Sequence, residues 1–141
     1  MKKVLTYKGA VMTWECDSNG HMNVMYYMNK FEQAGRNVDL KMDVASFGKD
    51  NQIGMVVVEQ KINYFQELLE DDLIYIESSL LNVGNKAFTM LHEMYHGRTR
   101  KICATMRIVG VLFDKKSRKA LPFPSDMRKE LLDEWGPFPE S

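Results

Sequence analysis

The chain contains, at residues 14 to 36, the stretch Trp14-Glu-Cys-Asp-Ser-Asn-Gly-His-Met-Asn-Val-Met-Tyr-Tyr-Met-Asn-Lys-Phe-Glu-Gln-Ala-Gly-Arg36, which joins a turn-rich acidic segment to an amphipathic pattern. Apolar side chains recur there at the three-and-four spacing that lines one face of an α-helix. The pattern predicts a helix that ends between Gly35 and Asn37. Its apolar face carries Val24, Tyr27, Met28, Phe31 and Ala34, and its polar face carries Asn29, Lys30, Glu32, Gln33 and Arg36.

The start of this helix has the features of a site for a negative charge or a polarised carbonyl oxygen. Asn23 is a favoured N-cap type, and the Asn19-Gly20 pair readily adopts the positive φ angles of a tight turn. The first N–H groups of a helix have no intrahelical partner and lie at the positive end of its dipole. Asp17 lies about six residues before the cap, so a short loop can bring its carboxylate to the same place.

A carboxylate beside free N–H donors is an acyl-transfer arrangement in outline. The carboxylate can attack a carbonyl or activate water, and the N–H groups can bind the oxyanion that forms. An Asp before a helix is also a common turn residue, so spacing alone leaves the role of Asp17 open. His21 could bind the carbonyl or hydrogen-bond within the turn. Asn23 suits capping better than substrate contact, and Tyr27 suits the core or a pocket wall.

Three stretches carry a resemblance to a known family. The run Asp17-Ser-Asn-Gly-His-Met-Asn-Val-Met-Tyr-Tyr27, followed by Phe31-Glu32, resembles the signature of the hotdog-fold thioesterases, specifically the 4-hydroxybenzoyl-CoA thioesterase-like family. The resemblance extends over nearly the whole chain through Ile62-Asn-Tyr-Phe65 with Asp72-Leu-Ile-Tyr-Ile76, and through Ala120-Leu-Pro-Phe-Pro124. Aromatic-CoA members usually have an apolar stretch after the glycine, and this chain has His21-Met22-Asn23 instead, so the resemblance does not fix the acyl group.

The resemblance implies an α+β hotdog fold. In that fold a curved antiparallel sheet of about five strands is wrapped around one long central helix, and a short C-terminal helix follows. The implied activity is hydrolysis of an acyl-CoA thioester, with CoA as part of the substrate, no separate cofactor and no metal. A homodimer or homotetramer is implied as well, and pairing between subunits would cover an open sheet edge.

The resemblance also implies roles for individual residues. Asp17 would be the nucleophile or general base, and the backbone N–H of Val24 would polarise the thioester carbonyl. The complete predicted site has His21 and Asn23 beside them as further catalytic residues, and Tyr27 and Gly20 at the substrate.

Composition narrows the class of protein. With 141 residues the chain fits one domain, residues 1–141. Its 19 basic and 19 acidic side chains give a formal net charge of zero, which argues against a dedicated nucleic-acid or membrane-surface protein. Two cysteines and the lack of a long apolar run predict a protein of the reducing cytoplasm without a membrane span.

The rest of the chain is predominantly strand. Strands are predicted at 3–13, 53–65, 73–82, 87–96 and 102–113, and short turns between the later ones require antiparallel pairing. In the second strand one face is predicted to carry Val56, Val58, Ile62 and Tyr64. Residues 38–52 suggest a short helical turn and a loop. A final helix is predicted over Ser125–Trp135, with Ser125 as its N-cap.

Other candidate groups favour structural or peripheral roles. His92 and His96 lie about 13 Å apart if they share a strand, too far to hold one metal ion. Glu32 on the polar face favours a surface or interface role. The basic clusters Arg98-Arg100-Lys101 and Lys115-Lys116-Arg118-Lys119 suit solvated turns, although either could contact the phosphates of CoA.

Three alternatives to a CoA thioesterase stay open. The carrier could be an acyl carrier protein. A hotdog hydratase or dehydratase would pair Asp with His in a motif like Asp-x-Asn-Pro-x-His, but Asp17-Ser-Asn-Gly-His21 lacks the Pro and has its His one residue too early. A non-catalytic acyl-binding protein could use the same scaffold, because fold does not fix function.

Overall fold

The computed structural model describes residues 2–42 and 52–138, which form one antiparallel sheet and two helices. The elements in chain order are β1 (Val4–Ala10), α1 (Val24–Met42), β2 (Ile53–Tyr64), β3 (Leu73–Val83), β4 (Ala87–His96), β5 (Ile102–Asp114), β6 (Lys119–Ala120) and α2 (Ser125–Trp135). The strands lie in the order β1-β3-β4-β5-β2, and β6 pairs with β5. The predicted α+β class and antiparallel sheet are confirmed.

The strand ends agree closely with the prediction except at β1. The first strand ends at Ala10, because Thr13–Glu15 form a short 3₁₀-helix in place of further strand. The sixth strand, Lys119–Ala120, has only two residues, which is too short to give a recognisable period.

The prediction that Val56, Val58, Ile62 and Tyr64 share one face of β2 is wrong. The register with β5 shifts between Val57 and Glu59, so β2 carries a bulge at Val58. A bulge adds one residue, and because side chains alternate, it reverses the faces on either side. Ile62 therefore lies opposite the buried Met106, while Val56 faces the other way.

Helix α1 continues beyond its predicted end at Gly35 to Asn37 and reaches Met42. Glycine inside a helix costs about 1 kcal/mol relative to alanine. Val38, one turn later, is buried in a cluster with Leu80 and Phe88, and burial of such a side chain is worth about 1.5–3 kcal/mol. Tertiary packing thus outweighs the local signal to stop. Of the turn and loop predicted over 38–52, residues 43–51 lie outside the described residues.

The predicted faces of α1 are correct for most positions and wrong for two. Tyr27, Phe31 and Ala34 are buried in the main apolar cluster beneath the helix, as predicted. Lys30, predicted on the polar face, is only 2% exposed, whereas Val24, predicted on the apolar face, is 61% exposed. Lys30 is buried because it has a buried ionic partner, and Val24 is exposed because it opens the helix.

The cores below α1 and beside α2 are separate clusters. Helix α1 packs against β1 and β3. Helix α2 buries Met127, Leu131 and Trp135 in the second cluster. Its bounds match the prediction, but its N-cap is Pro124 and Ser125 is its first residue, so the predicted Ser125 cap is wrong. The fixed φ of proline, here −59°, is suited to leading a chain into a helix.

Candidate active site

The loop before α1 is a tight turn built around Asp17. The Asp17 carbonyl accepts the N–H of Gly20 at 3.0 Å, and Gly20 has φ 82°, the left-handed region that favours glycine. The Oδ1 atom of Asp17 accepts the N–H groups of Asn19 at 2.9 Å and of His21 at 3.3 Å. No described residue donates to its Oδ2 atom. One oxygen of the carboxylate therefore holds the turn, and the other accepts no hydrogen bond from the described residues.

A buried ion pair fixes this loop to the helix. The Lys30 Nζ atom lies 2.9 Å from Oε1 and 2.8 Å from Oε2 of Glu15. Glu15 Oε1 also accepts the N–H of Met12 at 2.8 Å, and the Glu15 carbonyl accepts the N–H of Asn23 at 2.8 Å. Burial of two charges requires such complete pairing. The pair ties the residues just before Asp17 both to the middle and to the start of α1.

The start of α1 presents a free donor. Asn23 caps the helix, because its Oδ1 accepts the N–H of Met25 at 3.0 Å, as the sequence predicted. The N–H of Val24 has no acceptor among the residues that the structure describes, as expected at the first position of a helix. Val24 is 61% exposed at this position.

Asp17 and the helix start line one open cleft of about 370 Å³. Its other wall is the end of β2 and the residues just after it. Of the predicted site residues, the cleft brings together Asp17, His21, Val24 and Tyr27. Gly20 and Asn23 do not line it and instead shape the turn and the cap. The complete lining is Asp17, His21, Met22, Val24, Tyr27, Tyr64, Phe65, Gln66 and Glu67.

The predicted site did not include the β2 side of the cleft. Tyr64 packs edge-on against Tyr27, with ring centroids 5.1 Å apart. The signal was two adjacent aromatic residues at the end of a strand, just before an acidic turn. Such a signal shows that a strand ends but does not show which helix it meets.

Tyr27 and His21 contribute polar groups to the cleft walls. Burial, aided by nearby Cys103 and Tyr64, raises the pKa of Tyr27 to about 12, so its hydroxyl stays protonated and donates to the Gln66 carbonyl at 3.5 Å. His21 Nε2 lies 3.2 Å from Glu67 Oε2. Both partners of this contact are partly or largely exposed, so it joins the two walls without adding much stability.

The remaining candidates lie elsewhere. His92 and His96 both lie in β4 as predicted, and Glu32 is exposed and lines a different cavity together with His92. Within residues 2–42 and 52–138, no group of three or more His, Cys, Asp or Glu side chains is placed to hold a metal ion. The cluster Arg98-Arg100-Lys101 follows β4, and the cluster at residues 115–119 follows β5.

The antiparallel sheet and the helix packed on it form a fold of the hotdog class. The sequence pattern of the Thioesterase-like superfamily matches residues 11–131, and the chain belongs to this superfamily. The predicted family and the predicted enzyme class, a thioester hydrolase, are thereby confirmed. No curated protein sequence matches the chain.

Solved structures of low sequence identity share the fold. A Staphylococcus aureus protein in complex with CoA superposes with a TM-score of 0.84 at 15% identity, over 100% of this chain and 90% of that one. A predicted thioesterase from Bacillus stearothermophilus gives 0.81 at 22% identity, over 99% and 100% of the two chains. A 1,4-dihydroxy-2-naphthoyl-CoA thioesterase from Synechocystis gives 0.77 at 16% identity, over 96% and 100%. In the described part of this chain, neither helix has the length and apolar character needed to cross a membrane.

Proposed function

We propose that this protein is an acyl-CoA thioesterase in which Asp17 acts on the thioester carbonyl and the Val24 N–H stabilises the oxyanion. The observation that carries the proposal is that Asp17 and Val24 line one cleft, where the Val24 N–H has no acceptor among the described residues. The CoA bound to the Staphylococcus aureus neighbour and the CoA thioester named for the Synechocystis enzyme support CoA as the carrier. In this proposal residues 1–141 are one domain, and its sheet wraps around α1 as the central helix.

Two routes share the same geometry. In the first, Asp17 removes a proton from water, the resulting hydroxide adds to the carbonyl carbon, and the C–S bond breaks as the carbonyl re-forms. In the second, the Asp17 carboxylate itself adds to the carbonyl, CoA thiolate leaves, and water then cleaves the mixed anhydride. In both, negative charge develops on the carbonyl oxygen, where a preorganised N–H at a helix start is most effective. The thiolate leaves readily, takes up a proton from solvent and needs no assisting acid.

The test of this function is the loss of thiol release in Asp17→Asn. Asparagine keeps the Oδ1 atom that holds the turn, so the fold should be retained while the base or nucleophile is lost. We expect hydrolysis of acyl-CoA to fall by roughly 100-fold or more. Asp114→Asn is the matched control, because Asp114 Oδ1 accepts the N–H of Lys116 in a similar turn outside the cleft. Equal activity in both variants and the parent would overturn the assignment of Asp17.

Assays with related substrates separate the alternatives. Cleavage of acyl carrier protein thioesters but not of acyl-CoA would change the carrier. Addition of water to an enoyl thioester without thiol release would indicate a hydratase. Tight acyl-CoA binding that is unaffected by Asp17→Asn, without any turnover, would indicate a binding protein. We expect none of these three outcomes.

For the nucleotide end of CoA we propose the Arg98-Arg100-Lys101 cluster. The cleft includes Phe65, whose N–H donates to the Cys103 carbonyl at 2.8 Å, so the start of β5 and the basic turn before it lie at the cleft end of the sheet. The cluster at residues 115–119 instead adjoins the start of β2. The 12 residues of that strand span about 40 Å, so this cluster lies at the far end of the strand from the cleft. Arg98→Ala/Arg100→Ala should raise KM for acyl-CoA but not for acyl-pantetheine. Lys115→Ala/Lys116→Ala should change neither value.

We also propose that the protein is a homodimer or homotetramer assembled at the edge of the sheet. β2 is an edge strand, and no described strand pairs with its outer side. Its Val56, Val57 and Val58 are all exposed, and a long apolar edge invites pairing with a second chain. Sedimentation should show an oligomer that Val58→Lys weakens. A monomeric parent protein would contradict this proposal.

A further inference from the structure

The basic turn between β4 and β5, residues 97–101, is built around the side chain of His96, the last residue of β4. The backbone N–H groups of Arg98 and Thr99 both donate to His96 Nδ1, each at 3.2 Å. The His96 N–H donates to the Lys101 carbonyl at 2.9 Å, and the Arg100 N–H donates to the His96 carbonyl at 2.8 Å. The side chain and the backbone of one residue therefore hold the whole turn.

These contacts fix the protonation state of the His96 imidazole. A backbone N–H can only donate, so Nδ1 is an acceptor and carries no proton. The ring is therefore neutral, and its one proton is on Nε2. Nε2 lies 3.4 Å from Oδ1 of Asp72, whose Oδ2 accepts the N–H of Leu69 at 2.8 Å. His96 thus lies between the basic turn and the turn at residues 69–72, which follows the β2 side of the catalytic cleft.

The basic turn also packs closely against the start of β3. The Gly97 N–H donates to the Leu73 carbonyl at 2.6 Å, and a Cβ atom at residue 97 would lie 2.8 Å from Leu73 Cβ, closer than carbon atoms pack. Glycine permits this approach, so the place of the turn on the sheet is fixed. Arg98, Arg100 and Lys101 are exposed, and their charged groups have no hydrogen-bond or ionic partner within the described part of the chain.

Other turns of this protein use a carboxylate where the basic turn uses an imidazole. Asp114 Oδ1 accepts the N–H of Lys116, two residues later, at 2.9 Å, and Asp17 Oδ1 accepts that of Asn19 in the same way. Asp and Asn are the usual acceptors in such turns. A carboxylate inside a turn of lysines and arginines offsets part of their charge, whereas the neutral ring of His96 offsets none from within its turn. The turn after β4 is therefore the better suited of the two basic turns to bind an anion.

We propose that His96 is a positioning residue for the nucleotide part of the substrate, and that it fixes the basic turn so that the side chains of Arg98 and Arg100 meet the phosphate groups of CoA. The inference rests on the proposed thioesterase function and on the proposed place of the nucleotide. His96 acts through the two arginines and contacts neither the thioester nor the phosphates. A turn that is already held in its bound form loses less conformational freedom on binding, which lowers KM.

The test measures kcat and KM for butyryl-CoA, decanoyl-CoA and benzoyl-CoA and for the matching acyl-pantetheines, which lack the nucleotide. His96→Gln places its amide near Asp72 but loses the Nδ1 acceptor. We expect it to raise KM for acyl-CoA by about threefold to tenfold, with kcat and the KM for acyl-pantetheine nearly unchanged. His96→Asn places Oδ1 where Nδ1 lies, so its KM should stay within about twofold of the parent. An equal rise in KM for both kinds of substrate, no rise at all, or a His96→Asn as impaired as His96→Gln would overturn the inference.

A second pair of variants tests the neutral acceptor. His96→Asp holds the turn as His96→Asn does but adds a negative charge beside the arginines. We expect its KM for acyl-CoA to be about threefold to tenfold above that of His96→Asn, and the difference to shrink in 0.5 M NaCl. Asp114→Ala is the control, because it breaks the equivalent hydrogen bond in the turn far from the cleft and should change neither KM. Equal KM values for His96→Asp and His96→Asn would overturn the inference. This pair also serves if His96→Gln fails to fold, since both variants keep the acceptor.

A double-variant cycle shows whether His96 acts through the arginines. In Arg98→Ala/Arg100→Ala, His96→Gln should have no further effect on KM for acyl-CoA, whereas independent effects would add. Additive effects, or an unchanged KM in Arg98→Ala/Arg100→Ala itself, would overturn the inference and leave the thioesterase function intact.

If no acyl-CoA is cleaved, the proposed function fails, and calorimetric binding of CoA and of pantetheine then decides on His96. Weaker binding of CoA but not of pantetheine in His96→Gln would support the inference. Equal binding of CoA by His96→Gln and the parent protein would overturn it.

Discussion

Two groups of buried polar side chains lie beneath the sheet-facing side of α1, and they differ in charge and in how completely their polar atoms are paired. The Glu15–Lys30 ion pair is charged and complete, since both carboxylate oxygens contact the ammonium group. The Thr6–Ser78–His92 chain is neutral, and His92 Nε2 at its end has no hydrogen-bond partner among the described residues. A closed polar group, in which every polar atom is paired, fixes the backbone around it, whereas an open one, in which a buried atom has no partner, costs stability. The difference separates a pair that holds the loop carrying Asp17 from a chain whose contribution to stability depends on pH.

Breaking the closed group should have the largest effect on stability. Lys30→Met removes the ammonium group and leaves the Glu15 carboxylate buried without its charge partner. We expect the free energy of unfolding to fall by about 3–5 kcal/mol, measured by urea denaturation. Thiol release should fall as well at temperatures where the variant is folded, because the loop that carries Asp17 loses its attachment to α1.

The control for this prediction is the double variant Glu15→Leu/Lys30→Met. Replacing both ions with apolar side chains removes the desolvation penalty together with the attraction. The free energy of unfolding should therefore be no more than about 1 kcal/mol below that of the parent protein. A single variant as stable as the double one would show that the pair does not behave as a closed buried unit.

Acid should act mainly on the open group, with an effect slightly smaller than that of Lys30→Met. His92 has its pKa lowered by burial to about 4 in the folded protein, against 6.5 for an unperturbed histidine. Between these values the unfolded chain binds a proton that the folded chain does not, so stability falls as the pH drops from about 6.5 to about 4. A pKa difference of this size corresponds to about 3 kcal/mol.

The measurement is the free energy of unfolding at several pH values in the parent and in His92→Phe. The variant lacks the titrating ring, so the difference between the two proteins should change by about 3 kcal/mol over this range, while contributions from other groups cancel. Parallel stability curves would show that His92 is not held neutral by burial.

A third variant tests the internal links of the open chain. Ser78→Ala removes the hydroxyl that hydrogen-bonds both His92 Nδ1 and Thr6 Oγ1, which should cost about 1–3 kcal/mol in urea denaturation. Ser79→Ala is the matched control, because Ser79 is also buried but its Oγ has no partner among the described residues. We expect Ser79→Ala to lie within about 0.5 kcal/mol of the parent. Equal losses in the two variants would contradict the network.

The sequence predicted what depends on neighbouring residues. The Asn23 cap, the turn at Gly20 and the strands from 53 onward follow from local types and periods, and all agree with the structure. The same stretch also carried the family signature. These signals give the fold, the turn with Asp17 and the start of the helix.

The sequence could not predict features that depend on distant partners. The burial of Lys30 requires Glu15 on a separate 3₁₀-helix, and the continuation of α1 past Gly35 requires the apolar cluster around Val38. The bulge at Val58 reverses the faces of β2 without changing its composition. The pattern around His92 did not indicate its hydrogen bonding, because its partner Ser78 lies on the neighbouring strand.

An exposed ion pair on the outer surface completes the comparison and should show the smallest effect. Lys3 Nζ lies 3.0 Å from Glu93 Oε1, a distance similar to that of the buried pair, but the Lys3 side chain is 38% exposed. Water already solvates the ammonium group, and fixing a long side chain costs conformational entropy, so such pairs contribute about 0–1 kcal/mol. Lys3→Met should therefore lower the free energy of unfolding by less than about 1 kcal/mol, and 1 M NaCl should reduce even that difference.

If Lys3→Met were as destabilising as Lys30→Met, burial and closure would not be what distinguishes the Glu15–Lys30 pair. The two lysine substitutions are chemically identical, so their difference in urea denaturation measures the contribution of the surroundings alone.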